Sequence, residues 1–344
     1  MLEQLKNRTS NRWARISGWA GGSFLAVVGL LFLIGIVLTF VWGNEPGEFD
    51  IESNVNRLVE AHGTEKVTGS VTVATMITMA DVLLNKPGGY LSNDIMPPTV
   101  FMDNVPNWEY GALVQMRDMA RTLRNNMSRS QSQSSEDPSL VRAENQFYFD
   151  NNSWILPATE SEYEKGVRAL EDYFVRLGKP EQEDAQFYAR ADNIRVWLAE
   201  VETRLGSISQ RLSASIGKRQ LNLGLADDSA ATQSTPSTPD GRIKTPWMEL
   251  DDVFYEARGT TWALLHLLRA IEADFNDVLE DKNALVSLEQ IIRELEPTQK
   301  TLWSPVVLNG GGFGVLANHS LVMGAHISRA NAAIIDLRRL LDEG

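Results

Sequence analysis

Residues 181–218 predict a long helix and read EQEDAQFYARADNIRVWLAEVETRLGSISQRLSASIGK. Apolar side chains recur in them at alternating steps of three and four residues, a spacing that places them along one face of a helix. The series is Phe187, Ala191, Ile194, Leu198, Val201, Leu205, Ile208 and Leu212. Such a stripe is buried against other helices, so the fold expected from it is all-α and built as a bundle.

The same spacing occurs in other parts of the chain. Residues 247–281 and 316–341 carry long stripes, and residues 113–127, 163–177 and 285–295 carry shorter ones. We therefore expect a bundle of about seven or eight helices, some of them long and coiled-coil-like. Residues 67–79, VTGSVTVATMITM, fit both a strand and a helix. We prefer the helix, because a lone strand in an all-α body would have no partner.

Two polar stretches interrupt this pattern. Residues 128–139 predict a loop or a frayed helix end. Residues 227–241, DDSAATQSTPSTPDG, are poor in apolar side chains and predict a disordered segment or a mobile linker. The body then divides into residues 49–225 and 247–344, joined by a flexible linker or loop over 226–246. Either the two parts are separate domains, or the segment joins two antiparallel helices of one bundle. We favour the second arrangement, because each flanking stripe needs a partner.

An uncharged segment precedes the body. Residues 20–41 read AGGSFLAVVGLLFLIGIVLTFV, and about 20 such residues cross a hydrocarbon layer of about 30 Å. The segment is longer than the roughly 7–15 apolar residues of a cleaved signal peptide, and no small-x-small cleavage pattern follows it. We therefore predict a transmembrane helix over residues 20–42 that acts as an uncleaved signal-anchor. A cleaved signal peptide and a buried core helix are the alternatives.

The charge distribution predicts the orientation of this anchor. Lys6, Arg8, Arg12 and Arg15 lie in residues 1–19, whereas the whole 344-residue chain has a net charge of −13. The positive-inside rule predicts a cytoplasmic N-terminus and a periplasmic body in a bacterial inner membrane. The acidic body repels phosphate backbones and anionic lipid headgroups, so we expect no nucleic-acid partner. The chain has no cysteine, which excludes disulfides and thiolate metal sites.

Glycines in the anchor leave the oligomeric state open. Gly18 and Gly22 have the small-xxx-small spacing with which membrane helices pack closely. A homo-oligomer formed through this face is one interpretation. Glycine is also common in membrane helices without any such role.

Residues 86–108, KPGGYLSNDIMPPTVFMDNVPNW, are the most unusual stretch of the body. Their four prolines and two glycines predict an irregular loop, yet the loop is rich in apolar side chains. A loop of this kind packs against the bundle or against a partner. The candidate contact residues are Tyr90, Leu91, Ile95, Phe101 and Trp108.

Carboxylates in the same region are the only candidates for catalysis that we identify. Asp94, Asp103 and Glu109 lie in the loop or beside it. Two carboxylates in an apolar setting suit general acid–base chemistry, because burial raises the pKa of one of them. Asp and Asn also cap turns and helices, and this structural role is the favoured alternative.

Residues 309–314, NGGGFG, and four histidines are the remaining candidates. Gly310, Gly311 and Gly312 precede the C-terminal helix and could direct N–H groups at an anion, although the Gly-Lys-Ser/Thr ending of a phosphate loop is missing. A hairpin between helices is the alternative. His319 and His326 are seven residues apart, and His62 and His266 lie elsewhere, which is not a zinc-binding spacing. We expect no metal and no cofactor.

Residues 86–118, which include KPGGYLSNDIMPP and DNVPNWEYGALVQMRD, resemble a bacterial family known as a domain of unknown function. The resemblance covers nearly the whole chain. It implies a single-pass inner-membrane protein of Gram-negative bacteria with a helical periplasmic body. It implies no activity, cofactor or catalytic residue.

Three functions are compatible with these features. The leading hypothesis is a membrane-anchored periplasmic interaction or scaffold protein of the cell envelope, with an envelope protein as its partner. An envelope hydrolase that uses the carboxylates of the 86–109 region is the second. A sensor domain that binds a small molecule within the bundle is the third. The sequence has no Ser-His-Asp order and no G-x-S-x-G elbow to favour an enzyme.

Overall fold

The structure is a computed structural model that describes residues 24–130, 135–179, 185–219, 242–304, 306–311 and 314–343. Its α-helices are α1 (Phe24–Trp42), α2 (Ile51–His62), α3 (Ser70–Asn85), α4 (Asn104–Thr122), α5 (Pro138–Phe147), α6 (Thr159–Leu177), α7 (Ala191–Ser213), α8 (Leu250–Asp274), α9 (Asn276–Asp281), α10 (Leu285–Leu295) and α11 (His319–Glu343). Two short strands, β1 (Lys218–Arg219) and β2 (Arg242–Ile243), pair antiparallel. The prediction of an all-α fold is confirmed.

Helix boundaries differ from the predicted ones where a large side chain turns into the core. The helix predicted over 181–218 begins only at Ala191 within the described residues, and Phe187 lies before it. The helix predicted over 247–281 is interrupted at Phe275, whose ring meets that of Phe187 at 5.6 Å. Packing between these two rings outweighs helical periodicity at both points. Leu316 also precedes α11, but its side chain is 64% exposed, and the helix begins after the Asn318 cap instead.

α3 resolves the ambiguous segment as a helix that is buried on almost every side. Its threonines are buried. Two of their hydroxyls donate hydrogen bonds, one to a carbonyl of the same helix and one to Asp274 on α8. Thr78 donates its hydroxyl to the Ala74 carbonyl at 2.8 Å, and Thr72 donates to Asp274 at 2.7 Å. The hydroxyls of Thr72 and Thr78 are therefore satisfied inside a helix, whereas the buried hydroxyl of Thr75 has no hydrogen-bond partner.

α4 and α8 form the centre of the body. A Cβ added at Gly259 would lie 1.9 Å from the Trp108 carbonyl oxygen, and one at Gly111 would lie 2.1 Å from the Glu256 carbonyl oxygen. The two glycines thus let the helix backbones touch. The rings of Trp108 and Trp262 pack with centroids 4.9 Å apart. Because α4 and α8 lie on opposite sides of the 226–246 segment, both parts of the chain share this core.

α7 and α11 pack as an antiparallel pair beside this centre. Ser209 and Ser328 share a hydrogen bond of 2.5 Å, and Arg195 pairs with Asp342 at 3.2 Å. Arg204 on α7 also binds Asp118 on α4 at 2.8 Å. The stripe of α7 is thereby buried between helices from both parts of the chain.

α1 differs from every other helix because none of its residues is buried in the body. It is long and apolar enough to cross a membrane. Residues 43–50, which we name the strap, connect it to the body along α8. Arg258 binds Glu45 at 2.7 Å, Trp262 donates its indole N–H to the Gly47 carbonyl at 3.0 Å, and His266 accepts the Phe49 N–H at 3.1 Å. α1 is therefore attached to the body without a free linker.

Candidate functional site at the α1 end of the body

The loop between α3 and α4 lies directly beside the end of α1. A Cβ added at Gly88 would lie 2.8 Å from the Trp42 ring, and one at Gly43 would lie 3.8 Å from the Met102 methyl group. Both ends of the loop thus approach the last turn of α1. The predicted irregular stretch is shorter than expected, because α4 already begins at Asn104 and Thr99–Phe101 form a turn of 3-10 helix.

A buried ion pair holds the first half of this loop. Lys86 binds the carboxylate of Glu109, and both side chains are almost completely buried. Glu109 also accepts the N–H groups of Leu91 at 2.9 Å and Ser92 at 2.8 Å. Burial raises the pKa of Glu109, while Lys86 and these donors oppose the shift. The carboxylate is thus occupied in fixing the loop to α4.

Asn93 connects the loop to a second loop that precedes α6. Its amide donates to the Ser153 carbonyl at 2.9 Å and to Glu160 at 2.7 Å. These bonds place residues 151–158 next to residues 93–101, although about 60 residues separate them in the sequence. The two loops therefore reach the same end of the body together.

The tips of both loops expose apolar side chains to solvent. Phe101 is 81% exposed and Leu156 is 89% exposed. We name the tips, residues 95–101 and 154–156, the apolar loops; their other exposed members are Ile95, Met96, Val100, Trp154 and Ile155. Exposed apolar side chains that cluster in this way mark contact surfaces in soluble domains.

The five predicted contact residues divide into two groups. Ile95 and Phe101 are exposed and can meet a partner. Tyr90, Leu91 and Trp108 are buried in the body. Tyr90 packs edge-on against Tyr163 at 5.6 Å. These three side chains support the loop instead of forming its outer surface. Sequence reasoning missed Trp154, Ile155 and Leu156, whose signal is a short apolar run between polar residues.

The three predicted carboxylates lie in different surroundings. Glu109 is buried with Lys86, as described above. Asp94 is half-buried, and its pKa is raised by burial and by Glu160. Asp103 is exposed. Burial of Asp252 and the negative charges of Asp103 and other neighbouring carboxylates raise the pKa of Asp252 to about 6. This geometry favours the structural alternative over a convergent acid–base pair.

Gly310 and Gly311 of the glycine run lie in a hairpin before α11. Gly310 donates its N–H to the Ala317 carbonyl at 2.9 Å, and a Cβ added to it would lie 2.0 Å from the Leu316 carbonyl oxygen. Gly311 stands in open space, and Gly312 lies outside the described residues. Asn318 caps α11 by accepting the Leu321 N–H at 2.9 Å. The Gly310 N–H and the Asn318 side chain are therefore already hydrogen-bonded within the protein.

The histidines lie in three places. His266 accepts from the strap, and His62 is exposed at the end of α2. His319 and His326 line a cleft of about 410 Å³ together with Phe254 and Trp303. His319 accepts the Leu308 N–H at 3.0 Å. Within the described ranges, no group of three potential metal ligands is present.

Further exposed apolar side chains lie at the same end of the body. Asn107 at the start of α4 binds Asp252 at 2.7 Å, which places the exposed Trp247 before α8 near the loops. Leu302 lines a cleft of about 300 Å³ with the strap, and the exposed Trp303 follows it. The loops, the strap and these tryptophans together compose the candidate contact surface.

Sequence comparison agrees with the resemblance described above. The sequence model of DUF2333, described as an uncharacterized protein conserved in bacteria, matches residues 14–344. The chain belongs to this family. No curated protein and no solved structure matches it.

The residues that carried the resemblance have a clear structural role in this DUF2333 chain. Residues 86–118 contain both partners of the buried ion pair, the N–H donors to Glu109, and Asn93. They also contain Gly111, which packs against α8. The DUF2333 stretch that is most distinctive in sequence therefore builds the loop and joins it to the core.

Proposed function

We propose that the chain is a single-pass, membrane-anchored interaction or scaffold protein of the bacterial envelope, with a cytoplasmic N-terminus and a periplasmic body. α1 supports the anchor, because it is apolar and unburied over its whole length. The basic residues 1–19 support the orientation. In this proposal α1 remains attached to the body and is not removed as a signal peptide.

The observation that carries the proposal is the apolar surface next to the end of α1. The exposed side chains of the apolar loops are held in place by buried polar contacts, namely the Lys86–Glu109 pair and the bonds of Asn93. A loop that is fixed at its base and apolar at its tip is suited to binding. The carboxylates of the same region lie in separate surroundings, which favours an interaction role over hydrolysis.

The cysteine-free chain allows a direct test of topology. Single cysteines are introduced as Ser10→Cys and Val286→Cys, the second at a position that is 69% exposed on α10. A membrane-impermeant maleimide is added to cells with a permeabilised outer membrane. We expect labelling at position 286, protection at position 10 until the inner membrane is opened, and retention of the full chain in the membrane after alkaline washing.

The opposite labelling pattern, or release of the full chain by alkaline washing, would contradict the proposed anchor. The interaction role is tested separately by recovering the tagged chain from its native membrane after cross-linking from a probe at position 101. We expect cross-links from position 101, to lipid or to a protein of the membrane, and none from the matched probe at position 286. Equal cross-linking at both positions would count against a contact role for the apolar loops.

A further inference from the structure

The exposed apolar side chains of the body are concentrated at one end. Of the 19 large hydrophobic side chains exposed in the described residues outside α1, 14 lie in the segments 95–101, 154–156, 216, 247–248, 303–304, 306 and 315–316. We name these segments the apolar end face. The remaining five lie on or at the ends of helices elsewhere in the body. Such an uneven distribution is not expected for a freely solvated bundle.

Hydrogen bonds place these segments on the side from which α1 arrives. Asn309 donates to the Ser215 carbonyl at 3.0 Å, which links the hairpin of residues 309–318 to the end of α7. Thr245 donates its N–H to the Ala214 carbonyl at 3.2 Å, which links the start of α8 to the same point. The strap meets α8 at Arg258, and residues before Arg258 lie toward α1. At ~1.5 Å per residue, Trp247 lies ~16 Å beyond Arg258 in that direction.

The opposite end of the body has a different surface. Its turns meet where Asp274 accepts the N–H groups of Gly69 at 2.8 Å and Thr72 at 2.7 Å. Residues 62–69, 178–179 and 274–284 compose this end, and none of these described residues is a large exposed hydrophobic side chain. Val286, in the first turn of α10, is the exposed one nearest to them in sequence. The end of the body that exposes many apolar side chains is therefore the end next to α1.

Tryptophans show the same separation. Trp108, Trp197 and Trp262 are fully buried, as is usual for this residue in a core. Trp154, Trp247 and Trp303 are exposed, and all three lie on the apolar end face. Trp42 at the end of α1 lies against Gly88, in the loop between α3 and α4. Tryptophan is favoured at the boundary between lipid and water, because its ring is apolar and its N–H group is polar.

We infer that the apolar end face lies in the interfacial region of the same lipid bilayer that α1 crosses. The inference rests on the proposed function, because it requires α1 to be a membrane anchor. The strap holds the body close to α1, so the end face and the end of α1 reach the membrane surface together. The occupant of the end face is lipid, and the contact is apolar.

The attraction does not depend on opposite charge. Asp94, Asp103, Glu249 and Asp251 lie in or next to the end face, and the chain as a whole is acidic. Apolar side chains that insert ~5–10 Å into the headgroup region gain free energy by leaving water. Contact with a zwitterionic bilayer is therefore expected, and it should persist in ~1 M salt, where charge interactions are screened beyond ~3 Å.

The experiment uses the full chain, reconstituted into phosphatidylcholine vesicles, with one cysteine carrying an environment-sensitive fluorophore. Probes are placed by Phe101→Cys and Leu156→Cys on the end face, by Val286→Cys on the exposed surface of α10, and by Leu31→Cys within α1. Part of the lipid carries a nitroxide, near the top of the acyl chain in one preparation to quench interfacial probes and near its end in another to quench probes at the bilayer centre. We expect quenching at positions 101, 156 and 31, unchanged in ~1 M salt, and none at 286.

The probe at position 31 separates the two possible failures. Absence of quenching there would show that α1 is not in the bilayer and would overturn the proposed anchor. Quenching at 31 without quenching at 101 and 156 would leave the anchor intact and overturn this inference. Cross-linking of those two positions to a protein in native membranes, combined with no quenching in vesicles, would instead identify a protein partner and would also overturn it.

A second arrangement tests the face without a probe on either apolar loop. A probe at Trp247→Cys is compared in the parent chain and in one that also carries Phe101→Ser, Leu156→Ser and Trp303→Ser. These side chains are exposed, so helical content measured by circular dichroism should be unchanged. We expect loss of quenching at position 247, and no loss with Val286→Ser as the control. Unchanged quenching in the triple variant would overturn the inference.

Discussion

Replacing His266 with glutamine tests how the strap is held to α8. The imidazole accepts the Phe49 N–H at Nε2 (3.1 Å), and its Nδ1 lies 2.7 Å from the Trp262 carbonyl oxygen. The Phe49 ring stacks on it with centroids 3.9 Å apart. Only the neutral tautomer with its proton on Nδ1 satisfies both bonds. A protonated ring would turn an N–H toward the Phe49 N–H and break the contact.

The pKa of His266 is lowered to about 4, chiefly by burial and also by nearby Arg269, while the hydrogen bond to the Trp262 carbonyl and the charge of Glu48 oppose the shift. An unfolded histidine has a pKa of about 6.5. As the pH falls from 6.5 to 4, the unfolded chain binds this proton and the folded chain does not. The contribution of neutral His266 to the free energy of unfolding is therefore complete above pH 6.5 and lost below it. The loss between pH 7 and pH 4 amounts to about 3 kcal/mol.

The measurement is denaturant unfolding of the full chain in detergent micelles, followed by circular dichroism between pH 4 and pH 7. The His266→Gln variant keeps an acceptor for the Phe49 N–H but does not titrate. Carboxylates titrate in both chains, so the difference between them isolates His266. We expect the variant to be the less stable chain at pH 7, and the difference to move by about 3 kcal/mol in its favour by pH 4. A difference that stays constant over this range would refute the reasoning.

Three further predictions concern the core and the loop. Gly259→Ala should destabilise the body by more than about 3 kcal/mol in thermal or denaturant unfolding, because the added methyl would overlap a backbone carbonyl of α4, whereas Gly206→Ala should be tolerated. Glu109→Gln should cost about 3–5 kcal/mol and expose the loop to limited proteolysis, because it leaves the ammonium of Lys86 buried without its partner. Adding Lys86→Met should recover part of that loss, and no recovery would contradict the ion-pair explanation. Asp252→Asn should raise stability at pH 7 by about 1 kcal/mol, a value reduced for solvent screening, because the raised pKa of this carboxylate makes its charge unfavourable there. The gain should vanish near pH 4, and a gain independent of pH would contradict this explanation.

Local periodicity is sufficient to predict most helices of this chain. α6, α7, α8, α10 and α11 each follow a stripe that is visible in the sequence, because the stripe is the face that the helix buries. Periodicity does not predict the break at Phe275. At that break the Phe275 ring packs against Phe187, which is distant in sequence.

The candidate site was likewise predictable only in part, because local sequence identifies the loop but not which of its side chains are buried. The composition of residues 86–108 identifies an apolar loop, because proline and glycine exclude a regular element while the apolar side chains require a contact. It does not distinguish Tyr90, which is buried, from Phe101, which is exposed. That difference arises from Glu109, which draws the first half of the loop onto α4.

The amino-acid sequence by itself determined the all-α class, the apolar segment and the family to which the chain belongs, since each is encoded in consecutive residues. Only the tertiary structure decided that two loops about 60 residues apart form one surface, and that this surface lies beside the end of α1. The physical reason is that both facts depend on hydrogen bonds and close contacts between distant segments. Asn93 with the Ser153 carbonyl and the strap with α8 are such contacts, and no local pattern specifies them.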